Sequence, residues 1–159
     1  MRNYYYPIAV KLRDKIAVVV GGGAVAERKI KTLLKAGAKV RVISPALTPW
    51  LERARRARRI SCFSKKVEAV DLYPADIIIA ATSDSKVNEK VSFWAGRRRV
   101  LVNVVDRAKI SDFISPALLH VRQATVAVYT QGKDPVLSRD LKNFLKEYWD
   151  VFLSYRNRL

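Results

Sequence analysis

Apolar residues fall along the chain in short β-branched runs separated by stretches of helical period. Residues 16–20 (IAVVV) form a continuous run ending at glycine, as expected of a central parallel strand buried on both faces. From residue 24 to 36, Ala26, Ile30, Leu33 and Leu34 recur at helical spacing with Lys and Arg between them, and Gly37 supplies the stop. Residues 39–44 (KVRVIS) read as a second strand. The stretch LTPWLERARRARR reads as a helix beginning near Thr48 with Pro49 in its first turn, and ISCFS as a short third strand. Residues 76–82 (DIIIAAT) predict another buried strand, DSKVNEKVSFWAG a helix, and residues 100–106 (VLVNVVD) the next strand. Strands alternating with helices at this spacing imply right-handed crossovers and a mostly parallel, doubly wound α/β sheet.

Beyond Asp106 the texture changes. RAKISDFISPALLHVRQ has weak periodicity, residues 124–130 (ATVAVYT) predict one more strand, QGKDP a turn, and VLSRDLKNFLKEYWDVFLSYRN one long amphipathic helix. The expected organisation is a nucleotide-binding domain over residues 1–112 and a small α+β appendage over 113–159.

The stretch VVVGGGAVAERK carries the first chemistry. Gly21, Gly23 and Ala26 fit the pattern G-x-G-x-x-[GA] of a Rossmann-like dinucleotide site. There the first glycine makes a tight turn, the second admits a pyrophosphate, and the small third residue lets helix pack on strand. The free N–H groups and positive dipole end of the following helix suit phosphate. An acidic residue expected about 20 positions on, to hold the ribose, is replaced by Ser44 in VISP. Ser44 offers a ribose hydroxyl a partner, and Arg41 is a candidate for a 2′-phosphate, so NAD and NADP both stay open.

Composition narrows the class. At 159 residues the chain supports one substantial core and little more. No apolar run approaches the ~20 residues that cross a bilayer, and the N-terminus lacks a signal peptide's apolar core, so the expectation is a soluble cytoplasmic protein. A lone Cys62 has no disulfide partner and is expected as a buried strand residue; a lone His120 without companions at ligand spacing predicts no metal site. Thirty-one Lys and Arg against fourteen Asp and Glu give a net charge of +17, which points to a polyanionic partner without choosing one.

The blocks VVVGGGAVAERKIKTLLKAGAKVRVISP, IIIAATSDSKVNEKV, VLVNVVDRAKISDFISPA and VAVYTQGKDPVLSRDLK, in this order, resemble the precorrin-2 dehydrogenase family of sirohaem synthesis from about Tyr6 to Lys146. The resemblance implies NAD-dependent oxidation of precorrin-2 to sirohydrochlorin, in some members with insertion of Fe²⁺ or Co²⁺, and a homodimer formed through the region after the Rossmann domain. It implies that Asp106, closing NVVD, is the acid/base residue, a placement that its position at the carboxyl end of a parallel strand supports independently. The cofactor would then lie across Gly21, Gly22, Gly23, Ala24, Val25 and Ala26, with Ser44 and Pro45 beneath the adenosine. Thr82, Ser83, Asp84 and Asn88 would line the cleft, and Asn103 and Val104 would face the nicotinamide. Ser83 and Asp84 equally suit a helix cap. The chain departs from the family's GG-x-SP turn at Gln131 and Asp134, and the family's further helical domain is expected to be truncated or absent.

Precorrin-2 carries eight carboxylates. The arginine clusters at residues 53–59 and 97–99 end helices at the amino edge of the sheet, opposite the ligand edge, where they complement helix dipoles. Arg107, Lys109, Lys133 and Arg139, together with Thr130, are the better candidates for substrate. Two other classes remain: a nucleotide-sensing Rossmann module without turnover, and nonspecific nucleic-acid binding through the arginine clusters, for which no stacking or groove-reading motif is present.

Overall fold

The β-branched runs become the strands of one sheet. In the computed structural model, which describes residues 5–122 and 124–156, β1 (Ile16–Val20), β2 (Lys39–Ile43), β3 (Ser61–Phe63), β4 (Ile77–Ala80) and β5 (Leu101–Val104) are all parallel, in the order β3-β2-β1-β4-β5. Helices α1 (Ala24–Lys35), α2 (Pro49–Arg56) and α3 (Ser85–Arg98) make the crossovers. The unbroken apolar run of β1 is required because both its faces are covered. Ala17 and Val19 pack in a layer with Ala26, Ile30 and Leu33 of α1, while Val18 and Val20 pack with Val91 and Ala95 of α3. Winding proceeds outward from β1 to β3, then returns across β1 to β4. A crevice therefore opens at the carboxyl ends of β1 and β4.

Each helix starts where its sequence signals. Thr48 Oγ1 accepts from the Leu51 N–H at 3.3 Å ahead of Pro49, and Asp84 accepts from the N–H groups of Lys86 and Val87 at 2.9 and 3.3 Å. Gly37, at φ 79°, ends the α1 turn in the left-handed region that glycine tolerates. The arginine clusters occupy the last turns of α2 (Arg53, Arg55, Arg56) and α3 (Arg97, Arg98), beside carbonyl dipole ends.

Polar side chains finish the sheet. Asp76 Oδ2 accepts from the N–H of Ile16 at 2.7 Å, opening β1, while its Oδ1 accepts from Lys15 at 3.1 Å. Residue pair 111–112 closes the outer edge of β5. Asp112 Oδ2 accepts from Val102 N–H at 2.9 Å, Ser111 Oγ accepts from Val104 N–H at 2.8 Å, and the Asp112 N–H donates to the Val102 carbonyl at 2.8 Å. The DF of the sequence block DFISPA is thus partly an edge seal. Cys62 is half-buried rather than fully buried, because among the described residues no strand pairs beyond the edge strand β3.

These elements belong to one compact unit, Pro7–Phe113; the chain from Ile114, with Tyr5 and Tyr6, forms a second. The second unit holds an antiparallel hairpin of β6 (Ala117–Val121) and β7 (Ala124–Val128), then α4 (Pro135–Glu147) and α5 (Trp149–Arg156). The sequence did not predict β6, whose residues LLHV alternate imperfectly. His120 pairs across the hairpin with Thr125, its Nδ1 lying 3.0 Å from the hydroxyl, which accounts for the lone histidine. The expected single long helix is two. Tyr148 (φ −92°, ψ 11°) divides α4 from α5, in a run of aromatic and β-branched residues that lose side-chain freedom in a helix, with ring pairs Phe144–Tyr148 and Trp149–Phe152 on either side. Gln131 takes a left-handed φ of 55° where the resemblance expects glycine, and Asp134 caps α4 by accepting from Leu137 N–H at 2.8 Å, the task a serine would perform.

Among the described residues, no group of three His, Cys, Asp or Glu side chains could hold a metal ion, and no helix is long and apolar enough to cross a membrane.

Removing the carboxylate that seals β5 leaves a strand N–H without its partner. Asp112→Ala is expected to lower stability by about 1 kcal/mol in chemical denaturation, whereas Asp140→Ala, which removes an exposed pair with Arg139, changes it by less than about 0.5 kcal/mol.

Candidate active site

The three glycines do three different things. Gly21 has φ 116°, and a Cβ there would stand 2.3 Å from the Ala81 carbonyl oxygen, so the turn presses directly on the end of β4. Gly22 is packed from the other side, where a Cβ would meet the Ala46 carbonyl at 2.1 Å and Ser44 Oγ at 2.8 Å. Gly23 meets nothing within 4 Å and begins α1 without a side-chain cap. The fingerprint glycine assigned to close ligand approach is therefore the one with open space above it. Ala26, fully buried, lets α1 close on the sheet.

A cleft of about 250 Å³ opens over this turn, lined by Gly23, Ala24, Val25, Ala81, Thr82, Ser83 and Val105. Its chemistry is that of uncapped helix N–H groups beside a hydroxyl-bearing loop, which suits a phosphate. Glu27, in the first turn of α1, accepts from Lys31 and from Thr48 Oγ1. Those two bonds hold its carboxyl below the usual range and fasten the loop after β2 to the helix.

A hydrogen-bond network continues from the cleft wall to Asp106. Asn88, with no exposed surface, accepts at Oδ1 from Thr82 N–H (3.1 Å) and lies 2.8 Å from Thr82 Oγ1; its Nδ2 donates to the Thr82 carbonyl (3.1 Å) and to Asp106 Oδ1 (2.9 Å). Ser85 donates to Asp106 Oδ2 at 2.8 Å. Burial pushes the Asp106 carboxyl up, but the Ser85 and Asn88 bonds, its own backbone N–H and the Arg107 charge outweigh it, leaving the group below its ordinary 3.8. Asp106 is thus an ionised, solvent-facing carboxylate with both oxygens oriented.

Several site residues read from the sequence sit elsewhere than expected. Arg41 is engaged within the protein: strand alternation puts its guanidinium where it donates to the Tyr73 carbonyl at 2.8 Å and lies over Phe63. Ser44 is buried and donates to the Ala46 carbonyl at 2.7 Å, while Pro45 is exposed beside it. Asp84 caps α3, and the Val104 side chain is fully buried in the α3-side core, so neither side chain faces the cleft. Asn88 reaches the wall only through Thr82. Asn103 is buried; its Nδ2 donates to the Phe113 carbonyl at 2.9 Å and its Oδ1 has no partner among the described residues.

Of the substrate candidates in this unit, Arg107 is exposed and paired with Glu89, and Lys109 is exposed on the 3₁₀ turn Ala108–Ile110. In the second unit, the Thr130 hydroxyl contacts the Asp134 carbonyl at 2.6 Å within the α4 start, Lys133 is exposed, and Arg139 bonds Asp140 at 2.9 Å. Sequence reasoning missed Ser85, Ala81 and Val105. Ser85 was legible as the first residue of α3, one helical turn ahead of Asn88.

The NAD(P)-binding family model matches residues 8–117 of the chain. "Siroheme synthase" of Methylobacillus flagellatus is 43% identical over 136 residues, 86% of this chain and 29% of that protein; the Sodalis glossinidius protein of the same name is 39% identical over 94% of this chain and 32% of its own. The chain thus spans about a third of the length of these curated relatives. A solved structure described as "SirC, precorrin-2 dehydrogenase" superposes with a TM-score of 0.80 at 28% identity, over 90% of this chain and 70% of that one. With a parallel sheet in Rossmann order, a glycine turn opening on an uncapped helix and a family model spanning that whole unit, the chain belongs to the NAD(P)-binding family.

Proposed function

We propose that this chain oxidises precorrin-2 to sirohydrochlorin with NAD⁺, and that Asp106 is its acid/base residue. The observation that carries the reading is an oriented, ionised carboxylate at the end of β5, joined by hydrogen bonds to the wall of a phosphate-suited cleft. The substrate is taken from the relatives' names. The residues fit a dinucleotide in two respects. Gly23 leaves room above uncapped N–H groups, and the unpartnered Asn103 Oδ1 suits an N–H donor such as a carboxamide. NAD is preferred to NADP because Arg41, the candidate for a 2′-phosphate, is engaged with the Tyr73 carbonyl.

The bound cofactor supplies a hydride acceptor. Dehydrogenation removes one hydride and one proton, and Asp106 is placed to receive or relay the proton. A carboxylate held below 3.8 is a weak base, so proton loss must be drawn by the acidity that the substrate gains as hydride departs. Ser85 and Asn88 fix the direction in which its lone pairs point. Arg107 and Lys109, with Thr130, Lys133 and Arg139, are proposed to bind the substrate's carboxylates.

We also propose domains at residues 1–112 and 113–159, a cytoplasmic location, and a homodimer formed through the second unit. Val136, Leu137, Leu141 and Phe144 along α4, with Tyr148 at its C-cap, are 44–55% exposed, a face too apolar to suit water alone. Leu137→Glu combined with Leu141→Glu is expected to convert a dimer to a monomer in light scattering. A wild-type chain that is already monomeric overturns the dimer.

The central test is anaerobic turnover of precorrin-2 with NAD⁺, following NADH, in wild type and Asp106→Asn. A fall of about 10²–10⁴-fold in kcat is expected for the variant. Turnover retained in Asp106→Asn removes its role, and NAD⁺ binding without turnover in wild type favours a sensing module. Because the Asp106 pKa is depressed, the active charged form persists as pH falls until the lowered value is reached. In the pH profile, Ser85→Ala, which removes a donor to the charged form, is expected to move the Asp106 limb upward.

The glycines separate folding from binding. Gly21→Ala is expected to destabilise by about 2–4 kcal/mol, from a strained φ and a clash with Ala81. Gly23→Val is expected to leave Tm nearly unchanged while weakening NAD⁺ binding at least about tenfold in calorimetry, since its side chain fills the space above the helix N–H groups.

A further inference from the structure

Asn88 does not touch the cleft, yet it is bonded to both sides of the chemistry. Its carboxamide offers two donors and two acceptor sites, and each has a partner in reach inside the protein. Its Oδ1 faces the Thr82 backbone N–H and hydroxyl, while its Nδ2 donates both to the Thr82 carbonyl and to Asp106 Oδ1. Thr82 and its neighbour Ser83 line the cleft opposite Gly23, Ala24 and Val25. We infer that Asn88 is a positioning residue through which occupancy of the nucleotide cleft sets the orientation of Asp106.

Three features support this coupling. First, the two carboxylate oxygens are held by different supports: Ser85 Oγ fixes Oδ2 from the start of α3, and only Oδ1 is linked to the cleft wall. Second, the Thr82 hydroxyl has one proton and two acceptors in reach, the Asp84 carbonyl at 2.9 Å and Asn88 Oδ1 at 2.8 Å. A ligand that engages Thr82 changes that choice, and with it the hold on Asn88. Third, Asn88 is fully buried, so water cannot replace a bond it loses, and a shift at Thr82 is passed on rather than absorbed. Coupling of this kind is reciprocal: whatever the ligand does to Asp106, the state of Asp106 does to ligand affinity.

The inference rests on the reading that the cleft takes a dinucleotide, and the test separates the two. NADH binding is measured by calorimetry, and Asp106 is followed by ¹³C NMR of its carboxyl with and without NADH. The proteins compared are wild type, Asn88→Ala, Asn88→Asp and Ser85→Ala. NADH is expected to shift the Asp106 resonance and its titration in wild type and Ser85→Ala, and to shift neither in Asn88→Ala.

Asn88→Asp keeps the acceptor toward the Thr82 N–H but loses the Nδ2 donor shared by the Thr82 carbonyl and Asp106, and sets a second carboxylate beside Asp106. It is expected to hold KM for NAD⁺ within about threefold while kcat falls by about 10–100-fold. Should Asn88→Ala fail to fold, Asn88→Asp and Asn88→Ser carry the same comparison. An NADH-induced shift of Asp106 that survives in folded Asn88 variants overturns the coupling while leaving the dinucleotide reading intact. A wild type that does not bind NADH overturns both.

Discussion

The turn between β1 and α1 runs so close to the end of β4 that no side chain fits at residue 21, and the site is built from that contact. A Cβ at Gly21 would stand 2.3 Å from the Ala81 carbonyl. With the turn seated there, the first N–H groups of α1 face the loop that leaves β4, and Thr82 and Ser83 become the opposite wall of one cleft. Gly22 seats the turn from its other side, against the Ala46 carbonyl and Ser44. The glycine triplet is therefore a vice: two residues are gripped by neighbouring strand ends, and the third is left open. The conformational entropy lost in ordering three glycines is offset by contacts that no other residue permits.

Most of the first unit was legible because its strands are buried on both faces and its helices on one. Continuous β-branched runs at β1 and β4, and the spacing of Ala26, Ile30 and Leu33, leave one economical arrangement, a parallel sheet with helices on both sides. The second unit was less legible for the opposite reason. The hairpin β6–β7 buries little beyond Leu119 and Val128, so its alternation is weak, and α4 exposes apolar residues that a buried helix would hide. The helix break at Tyr148 has no Gly or Pro to announce it. Aromatic crowding divides a helix more quietly than a breaker does.

The site was legible where backbone geometry dictates residue type, and obscure where side chains choose among partners. Gly21 makes the tight turn and Ala26 lets helix pack on strand as the sequence pattern predicts, and Gly23 has open space above it. Asn88 and Arg41 depart from their sequence reading. Both lie at plausible positions along the chain, but alternation and helix phase turn Arg41 toward Tyr73 and Asn88 toward the interior. Ser85 has the reverse history, an unremarked helix-start residue whose hydroxyl holds the central carboxylate. A sequence motif marks the strand end at which chemistry is placed; which side chain faces it is decided by packing on the layers above and below.

The distribution of charge follows from the same geometry. Of the cations that give the chain its net +17, Arg53, Arg55 and Arg56 and then Arg97 and Arg98 sit in the last turns of α2 and α3. Lys31 and Arg59 lie over Trp50, and Arg41 over Phe63. In a parallel α/β unit, helices that follow strands end at the edge opposite the ligand, so these charges raise the long-range potential without crowding the cleft. Beside Asp106, the Arg107 charge is paired with Glu89. Such an allocation gives the whole surface an attraction for anions, while the Asp106 carboxylate is kept ionised by its bonds to Ser85 and Asn88 beside the single charge of Arg107.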